Sequence, residues 1–265
     1  MPHFEISPGV NLAYRLDDFT DPWVPAPTVL LLHGLAESAE AWRAFVPALS
    51  RHARVLRLDL RGYGASTPMP PDHPWRFDQL VDDVVALLGH LGLARVHAVG
   101  GKIGGTIALA LAARHPALVD RLAVLGGPAS LASVADKTPG WRAQIARDGV
   151  PAWVAASNAG RMGSRMPPEA LAWWTEMMGR TAASTLEGFL QMVPHVDVTP
   201  EVARITAPTL VVTTTGSGLG SVAEVRAWQE QIAGSKLIVV DNDSYHVAAS
   251  DPDETAALVR DFLFG

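Results

Sequence analysis

The sequence contains no cysteine, which excludes disulfides, thiolate catalysis and metal sites built on cysteine. Basic residues are the minority, with 21 Lys and Arg against 27 Asp and Glu, and no basic run occurs. Nucleic acid and anionic membranes are therefore not expected partners. No apolar stretch of about 18 residues occurs, and the first residues lack a basic segment followed by an apolar one. These absences predict a cytoplasmic protein that acts on a small molecule.

Signatures of metal and nucleotide binding are also missing. The nine histidines are scattered, without a pair four residues apart that would place two ligands on one helix face. The glycines around Lys102 lack the spacing of a phosphate-binding loop. We therefore expect no metal and no cofactor.

What the sequence does contain is an alternation of apolar, strand-like runs with segments of helical periodicity. Residues 28–32 form a fully apolar run typical of a central strand, and apolar residues recur at helical spacing over 77–91. Further strands are predicted at 4–7, 12–16, 54–58, 96–99, 121–125, 209–213 and 236–240, and further helices at 222–232 and 253–264. This alternation predicts an α/β fold with a mostly parallel central sheet and helices on both faces.

The alternation is interrupted between residues 128 and 199. This segment has no strand-like run, is helical in character, and contains four tryptophans and five methionines. An all-helical insert in a βα series is most simply a cap over the carboxyl ends of the strands, where ligands bind. We therefore expect a core formed by residues 1–127 and 200–265, with a cap of residues 128–199.

One glycine-rich turn lies between a predicted strand and an alanine-rich helix. Gly100 and Gly104 lie two residues before and two residues after Lys102. This spacing is typical of the nucleophile elbow, G-x-S-x-G, a sharp turn that projects a reactive side chain. Lys102 occupies the position of the serine, so the sequence predicts the scaffold of covalent catalysis with an amine in place of the hydroxyl.

Five features in chain order carry a family resemblance. They are Leu32-His33-Gly34, the loop at 59–66, the elbow at 100–105, the Pro-Thr-Leu-Val-Val run at 208–212, and Ser244-Tyr245-His246. With them the chain resembles the α/β-hydrolase superfamily from end to end, and its length and single cap are similar to those of 3-oxoadipate enol-lactonases. The resemblance implies the α/β-hydrolase fold with a helical cap inserted after strand six.

Two departures from the resembled pattern affect the mechanism. The family's elbow residue is Ser, or less often Asp or Cys, and its triad acid follows strand seven or strand six. Here the elbow residue is Lys102, and neither 213–220 nor 126–130 contains a carboxylate. Only His246 remains of the expected three residues, so the ordinary triad is not predicted. Asp241 and Asp243 lie near His246 in sequence and are candidate supports for it.

Lys102 is expected to be an uncharged amine. It lies at a helix N-terminus, where the dipole disfavours the ammonium, and burial under an apolar cap penalises charge further. A neutral amine forms imines with ketones and aldehydes, and an imine accepts the electrons released in decarboxylation or C–C cleavage. The favoured interpretation is this chemistry, with His246 as the acid and base.

Three other interpretations stay open. In the first, Lys102 is a base that activates water for hydrolysis of an ester, a lactone or a C–C bond. Alternatively, Lys102 is an ammonium that anchors a substrate carboxylate while His246 performs the chemistry. In the third interpretation the chain is an inactive relative that has kept a ligand pocket.

The remaining candidate residues surround this centre. The resemblance implies an oxyanion hole formed by the backbone amides of Leu35 and Ile103. Candidate substrate contacts are His33, Trp141, Trp153, Trp173 and Trp174, and candidates for clamping a carboxylate are Arg142, Arg161 and Arg165. A monomer and a homodimer are equally open.

Overall fold

The computed structural model describes residues 1–265 and contains one eight-stranded sheet. Its strands are β1 (His3–Ser7), β2 (Val10–Asp17), β3 (Thr28–Leu32), β4 (Arg54–Leu58), β5 (Val96–Gly101), β6 (Val119–Leu125), β7 (Thr209–Thr214) and β8 (Lys236–Val240). The strand order is β1-β2-β4-β3-β5-β6-β7-β8. The β1–β2 and β2–β4 pairs are antiparallel, and all other pairs are parallel. The predicted fold class is confirmed, and every predicted strand is present.

Nine α-helices connect and cover these strands. They are α1 (Val46–Leu49), α2 (Phe77–His90), α3 (Ile103–Arg114), α4 (Thr138–Met162), α5 (Pro168–Gly179), α6 (Ala183–Met192), α7 (Val222–Gln229), α8 (Val247–Ser250) and α9 (Pro252–Phe264). None of them combines the length and the apolar character needed to cross a bilayer.

The side chains of β3 show how the sheet separates two apolar cores. Leu30 and Leu32 pack into a large core with residues of α2, α3 and the helical insert. Val29 and Leu31 point to the opposite face and pack with residues of α1 and α9. Because alternate residues of a strand face opposite sides, a fully apolar run is buried only when both faces are covered by helices.

The helical insert, residues 128–199, lies between β6 and β7 and contains α4, α5 and α6. The longest of these helices, α4, is interrupted at Gly149, which has a φ of 82° and is followed closely by Pro151. Both residues are poor helix formers, so the interruption divides α4 into two rods. The assignment of this insert as a separate cap stays a prediction.

Candidate active site

Lys102 lies in the turn that joins β5 to α3, with φ 53° and ψ −125°. This is a strained conformation for a residue with a side chain. A Cβ atom at Gly100 would overlap the main chain of Gly104, and one at Gly104 would overlap the carbonyl of Leu32. Glycine is therefore required on both sides of Lys102. The close packing of the turn against β3 directs the lysine side chain toward the loop that follows β3.

The Lys102 side chain is buried and ends at the carboxylate of Glu37. Its Nζ atom contacts Oε1 of Glu37, and both side chains are almost completely removed from solvent. Its Cε atom lies close to Gly34, where a Cβ atom would overlap it. The lysine therefore extends across the loop after β3.

Glu37 lies between Lys102 and His246 and contacts both side chains. Its Oε1 atom contacts the Lys102 amine and also lies 2.9 Å from Nε2 of His246. Its Oε2 atom accepts a hydrogen bond of 2.8 Å from the N–H of Gly34. Apart from these two contacts, Oε1 of Glu37, Nζ of Lys102 and Nε2 of His246 have no hydrogen-bond partner in the protein.

His246 lies at the start of α8 and is 2% exposed. Its N–H donates to Oγ of Ser244 at 2.8 Å, and its ring packs edge-on against Trp174 with the centroids 4.9 Å apart. The Nδ1 atom is buried and has no hydrogen-bond partner. In a Ser-His-Asp triad the acid holds Nδ1, whereas Glu37 contacts the other ring nitrogen.

Neither aspartate considered as a support for His246 fills that role. The Asp241 side chain is 92% exposed, and Asp243 is exposed and accepts a hydrogen bond from the N–H of Ser164. At the end of β7, the Thr214 hydroxyl donates a hydrogen bond to the Ser244 carbonyl.

The carboxylate near His246 is that of Glu37, which was not predicted from the sequence. The available local signal was a glutamate three residues after Gly34, the spacing at which a side chain binds a nearby backbone N–H.

The three ionisable groups perturb one another. Burial raises the pKa of Glu37, but the charges of His246 and Lys102 outweigh burial and hold this pKa well below its usual range. Burial lowers the pKa of Lys102 against the opposing effect of Glu37, and Arg161 lowers it further. Burial also lowers the pKa of His246, although Glu37 acts in the opposite direction. The site therefore contains a carboxylate whose ionised form is stabilised, and it lies between two bases whose pKa values are lowered.

Leu35 and Ile103, whose backbone amides are expected to form an oxyanion hole, line the same cavity as Lys102. Leu35 follows Gly34 in the loop after β3, and its N–H donates to no protein acceptor. Ile103 is the first residue of α3, where an N–H has no carbonyl partner within the helix. Their assignment as oxyanion donors stays a prediction.

The cavity next to Lys102 is small, about 40 Å³, and mostly apolar. Its polar groups come from Lys102, Arg161 and Tyr245. Trp141 lies in its wall, and Trp153 is fully buried beside Arg161. Trp141 therefore lines this cavity and Trp153 does not, and their roles as substrate contacts stay predictions.

The other predicted contact residues lie outside this cavity. Trp174 packs on His246, whereas Trp173 lines a separate, polar cleft of about 330 Å³ that reaches Glu37 from another side. Both ring nitrogens of His33 are engaged, Nδ1 with the Gly34 carbonyl at 2.8 Å and Nε2 with the Leu60 N–H at 3.0 Å. Since His33 has no free ring nitrogen, it shapes the loop and does not face a ligand. No group of three or more His, Asp or Glu side chains is arranged to hold a metal ion.

The sheet order, the strained turn after β5 and the buried histidine before α8 define the α/β-hydrolase class. The family model described as alpha/beta hydrolase fold matches residues 27–252, and the chain belongs to this family.

Curated relatives are similar over nearly the whole chain. RutD of Agrobacterium fabrum, named as a carbamate hydrolase, is 27% identical over 251 residues, which cover 90% of this chain and 93% of that protein. A pimeloyl-[acyl-carrier protein] methyl ester esterase of Aeromonas hydrophila is 26% identical over 247 residues, with 89% and 95% covered. These relatives are hydrolases.

A solved structure supports the same assignment. The enol-lactonase from Burkholderia xenovorans LB400 superposes with a TM-score of 0.90, at 28% identity, with 100% of both chains covered. The expected likeness to enol-lactonases is confirmed. By family the chain is an α/β hydrolase.

Proposed function

We propose that the chain is a cofactor-independent enzyme that acts on a small carbonyl compound, with Lys102 as the reactive amine and His246 as the acid and base. The observation that carries this proposal is the position of one carboxylate oxygen. Oε1 of Glu37 contacts both the Lys102 Nζ and the His246 Nε2. This oxygen connects two bases by a path along which a proton moves.

Charge balance determines where that proton lies. A buried cluster with one carboxylate is least costly when one cation balances it. Lysine is ordinarily the stronger base, and Glu37 opposes the effect of burial on the Lys102 pKa, so this cation is placed on Lys102. Glu37 therefore changes the resting state expected from the sequence, because it stabilises the ammonium. The reactive form has a neutral Lys102 and a protonated His246, and it arises when the proton passes through Glu37.

Attack on the substrate uses this reactive form. The carbonyl oxygen accepts hydrogen bonds from the Leu35 and Ile103 amides, and the Lys102 nitrogen bonds to the carbonyl carbon while the π electrons move to oxygen. A proton moves from nitrogen to that oxygen. His246 then protonates the hydroxyl, water leaves, and a protonated imine remains.

The protonated imine drives the cleavage step. The electron pair of a C–C bond one carbon away from the imine moves toward nitrogen, which releases a carbonyl fragment or CO2 and leaves an enamine. For a carbonyl fragment, His246 removes the hydroxyl proton of the leaving group. The enamine is then protonated on carbon, by His246 when a carbonyl fragment has left and by water when CO2 has left. Water, or the hydroxide formed from it, adds to the imine, and the product is released with regeneration of Lys102.

Hydrolysis is the second candidate, because the relatives compared above are hydrolases of carbamates, esters and enol-lactones. In this mechanism Lys102, after passing its proton through Glu37, takes a proton from water. The resulting hydroxide adds to a carbonyl carbon held by the same amides. No bond forms between the substrate and Lys102.

Reductive trapping separates these candidates. The protein is incubated with small keto acids, aldehydes, esters and lactones, with and without borohydride, and its peptides are then mapped by mass. The chain has only three lysines, and the exposed Lys137 and Lys236 serve as internal controls. A reduced adduct confined to Lys102 supports the imine. Turnover without an adduct supports hydrolysis, and neither turnover nor an adduct over the whole panel contradicts both and leaves a ligand-binding relative.

A further inference from the structure

Arg161 is a buried cation that borders the cavity beside Lys102. It lies in the last turn of α4, is 3% exposed and forms part of the cavity wall. Its Nε atom donates to Oγ of Ser157 at 3.2 Å. Its Nη2 atom is buried and has no hydrogen-bond partner. The end of the guanidinium fork is therefore unsatisfied.

The other buried arginines in the chain are fully paired. Arg57 binds both carboxylate oxygens of Asp17, and Arg61 binds both carboxylate oxygens of Asp83. Arg161 forms no ion pair with any carboxylate of the protein. A buried charge without a partner is costly, and Arg161 is the one buried arginine without a carboxylate partner in the protein.

The Arg161 side chain is held in a fixed orientation. Its guanidinium lies over the ring of Trp153, 4.6 Å from the centroid, and 5.7 Å from the centroid of Trp141. These aromatic faces compensate part of the charge and leave the donor edge free. The Arg161 carbonyl accepts hydrogen bonds from Oγ of Ser244 at 3.0 Å and from the N–H of Tyr245 at 3.2 Å.

We propose that Arg161 is the anchor for a carboxylate of the substrate, so that the substrate is a small oxo acid whose ketone faces Lys102. A planar guanidinium binds a carboxylate through two parallel hydrogen bonds. No Asp or Glu lines the cavity, and Glu37, which contacts Lys102, is already shared with His246. This inference rests on the proposed function and specifies its substrate class.

The anchor also selects the bond that breaks. A carboxylate held by a guanidinium is stabilised as an anion, so its loss as neutral CO2 is disfavoured. The anchored carboxylate is therefore retained, and the C–C bond that is cleaved lies on the far side of the ketone. Among the reactions of the proposed imine, this favours cleavage to a carbonyl fragment over decarboxylation of the anchored group.

The test compares acids with their neutral esters. Binding of 2-oxopentanoate, 4-oxopentanoate and 5-oxohexanoate, each beside its methyl ester, is measured by titration calorimetry. At least one acid binds the wild-type protein about tenfold more tightly than its ester, as expected for a charge-assisted bidentate contact. In Arg161→Gln this preference is lost, and in Arg161→Lys part of it remains.

Arg165→Gln is the matched control. Arg165 follows shortly after Arg161 in sequence, but its side chain is 58% exposed, so this variant keeps the preference for the acid. Equal binding of acid and ester by the wild-type protein overturns the proposal, as does a preference that survives in a folded Arg161→Gln variant. The wild-type comparison needs no variant and remains decisive if Arg161→Gln fails to fold.

Failure of the Arg161 anchor and failure of the Lys102 imine give different results. An Arg161-dependent preference for acids without any borohydride adduct on Lys102 supports the anchor and contradicts the imine. An adduct on Lys102 that forms equally well with acids and esters supports the imine and contradicts the anchor.

Discussion

The Oε1 atom of Glu37 lies 2.9 Å from the Nε2 atom of His246, the ring nitrogen that receives the serine proton in a Ser-His-Asp triad. In this chain that nitrogen therefore faces a carboxylate, and the carboxylate also contacts the Lys102 amine. Glu37 therefore lies between Lys102 and His246 and contacts both of them.

Replacing Glu37 by Gln removes the charge that raises the pKa of Lys102. The pKa of the amine therefore falls, and the pH midpoint for trapping a small aldehyde on Lys102 with cyanoborohydride moves to lower pH. Turnover of a substrate falls by about 100-fold or more, because the proton path to His246 is cut. Glu40→Gln is the control, since Glu40 pairs with Arg15 at the surface. An unchanged trapping midpoint in Glu37→Gln contradicts the role of Glu37.

Replacing Lys102 by Met removes the amine while keeping an unbranched side chain at this buried position. We expect no borohydride adduct and loss of turnover, with the Arg161-dependent preference for acids retained. Because Lys102 lowers the pKa of His246, this variant also raises the pKa of His246, which is followed by NMR titration of its ring. Full turnover in Lys102→Met would exclude the amine from the reaction.

Replacing Gly104 by Ala tests the elbow packing. The added Cβ overlaps the Leu32 carbonyl, so the free energy of unfolding falls by about 1–3 kcal/mol, measured in urea. Gly160→Ala is the matched control, because Gly160 lies inside α4 with open space around it. There the substitution is expected to stabilise the protein by about 0.5–1 kcal/mol. Equal effects of the two substitutions would contradict the packing argument.

The stability of the protein is expected to fall in mild acid because of His33. Burial lowers the pKa of His33 below its unfolded value of 6.5, so the unfolded chain binds a proton that the folded chain does not. The free energy of unfolding therefore decreases as the pH falls below about 6.5, until the pH passes the folded pKa. His33→Gln makes this decrease shallower by up to about 1.4 kcal/mol per pH unit. His3→Gln, at an exposed position, is measured beside it as a control, and an unchanged slope in His33→Gln contradicts the assignment.

The sheet was predictable because its strands are local apolar runs with recognisable ends. The elbow was also predictable, because the spacing of Gly100, Lys102 and Gly104 is typical of this turn. The role of Glu37 was not predictable from the sequence, because its approach to His246 depends on two loops that meet only after the sheet has formed. A sequence search confined to the usual acid positions after β6 and β7 does not reach the loop after β3.

Arg161 shows a second limit of sequence analysis. Arg142, Arg161 and Arg165 were equivalent candidates, because the sequence does not show which of them is buried. In the structure Arg142 pairs with Glu187 near the surface, and Arg165 is largely exposed. Burial and the missing partner distinguish Arg161, and both depend on tertiary packing.

The Arg161 carbonyl accepts two hydrogen bonds from the segment that carries His246. The helical insert is thus fastened to the histidine segment at the same residue whose side chain borders the cavity. If this insert were transferred to a related α/β hydrolase, the hydrogen bonds to the segment that carries the histidine would be lost. We therefore expect the histidine to move unless that segment is transferred together with the insert. The proposed carboxylate anchor and the proposed acid–base residue are therefore linked through Arg161.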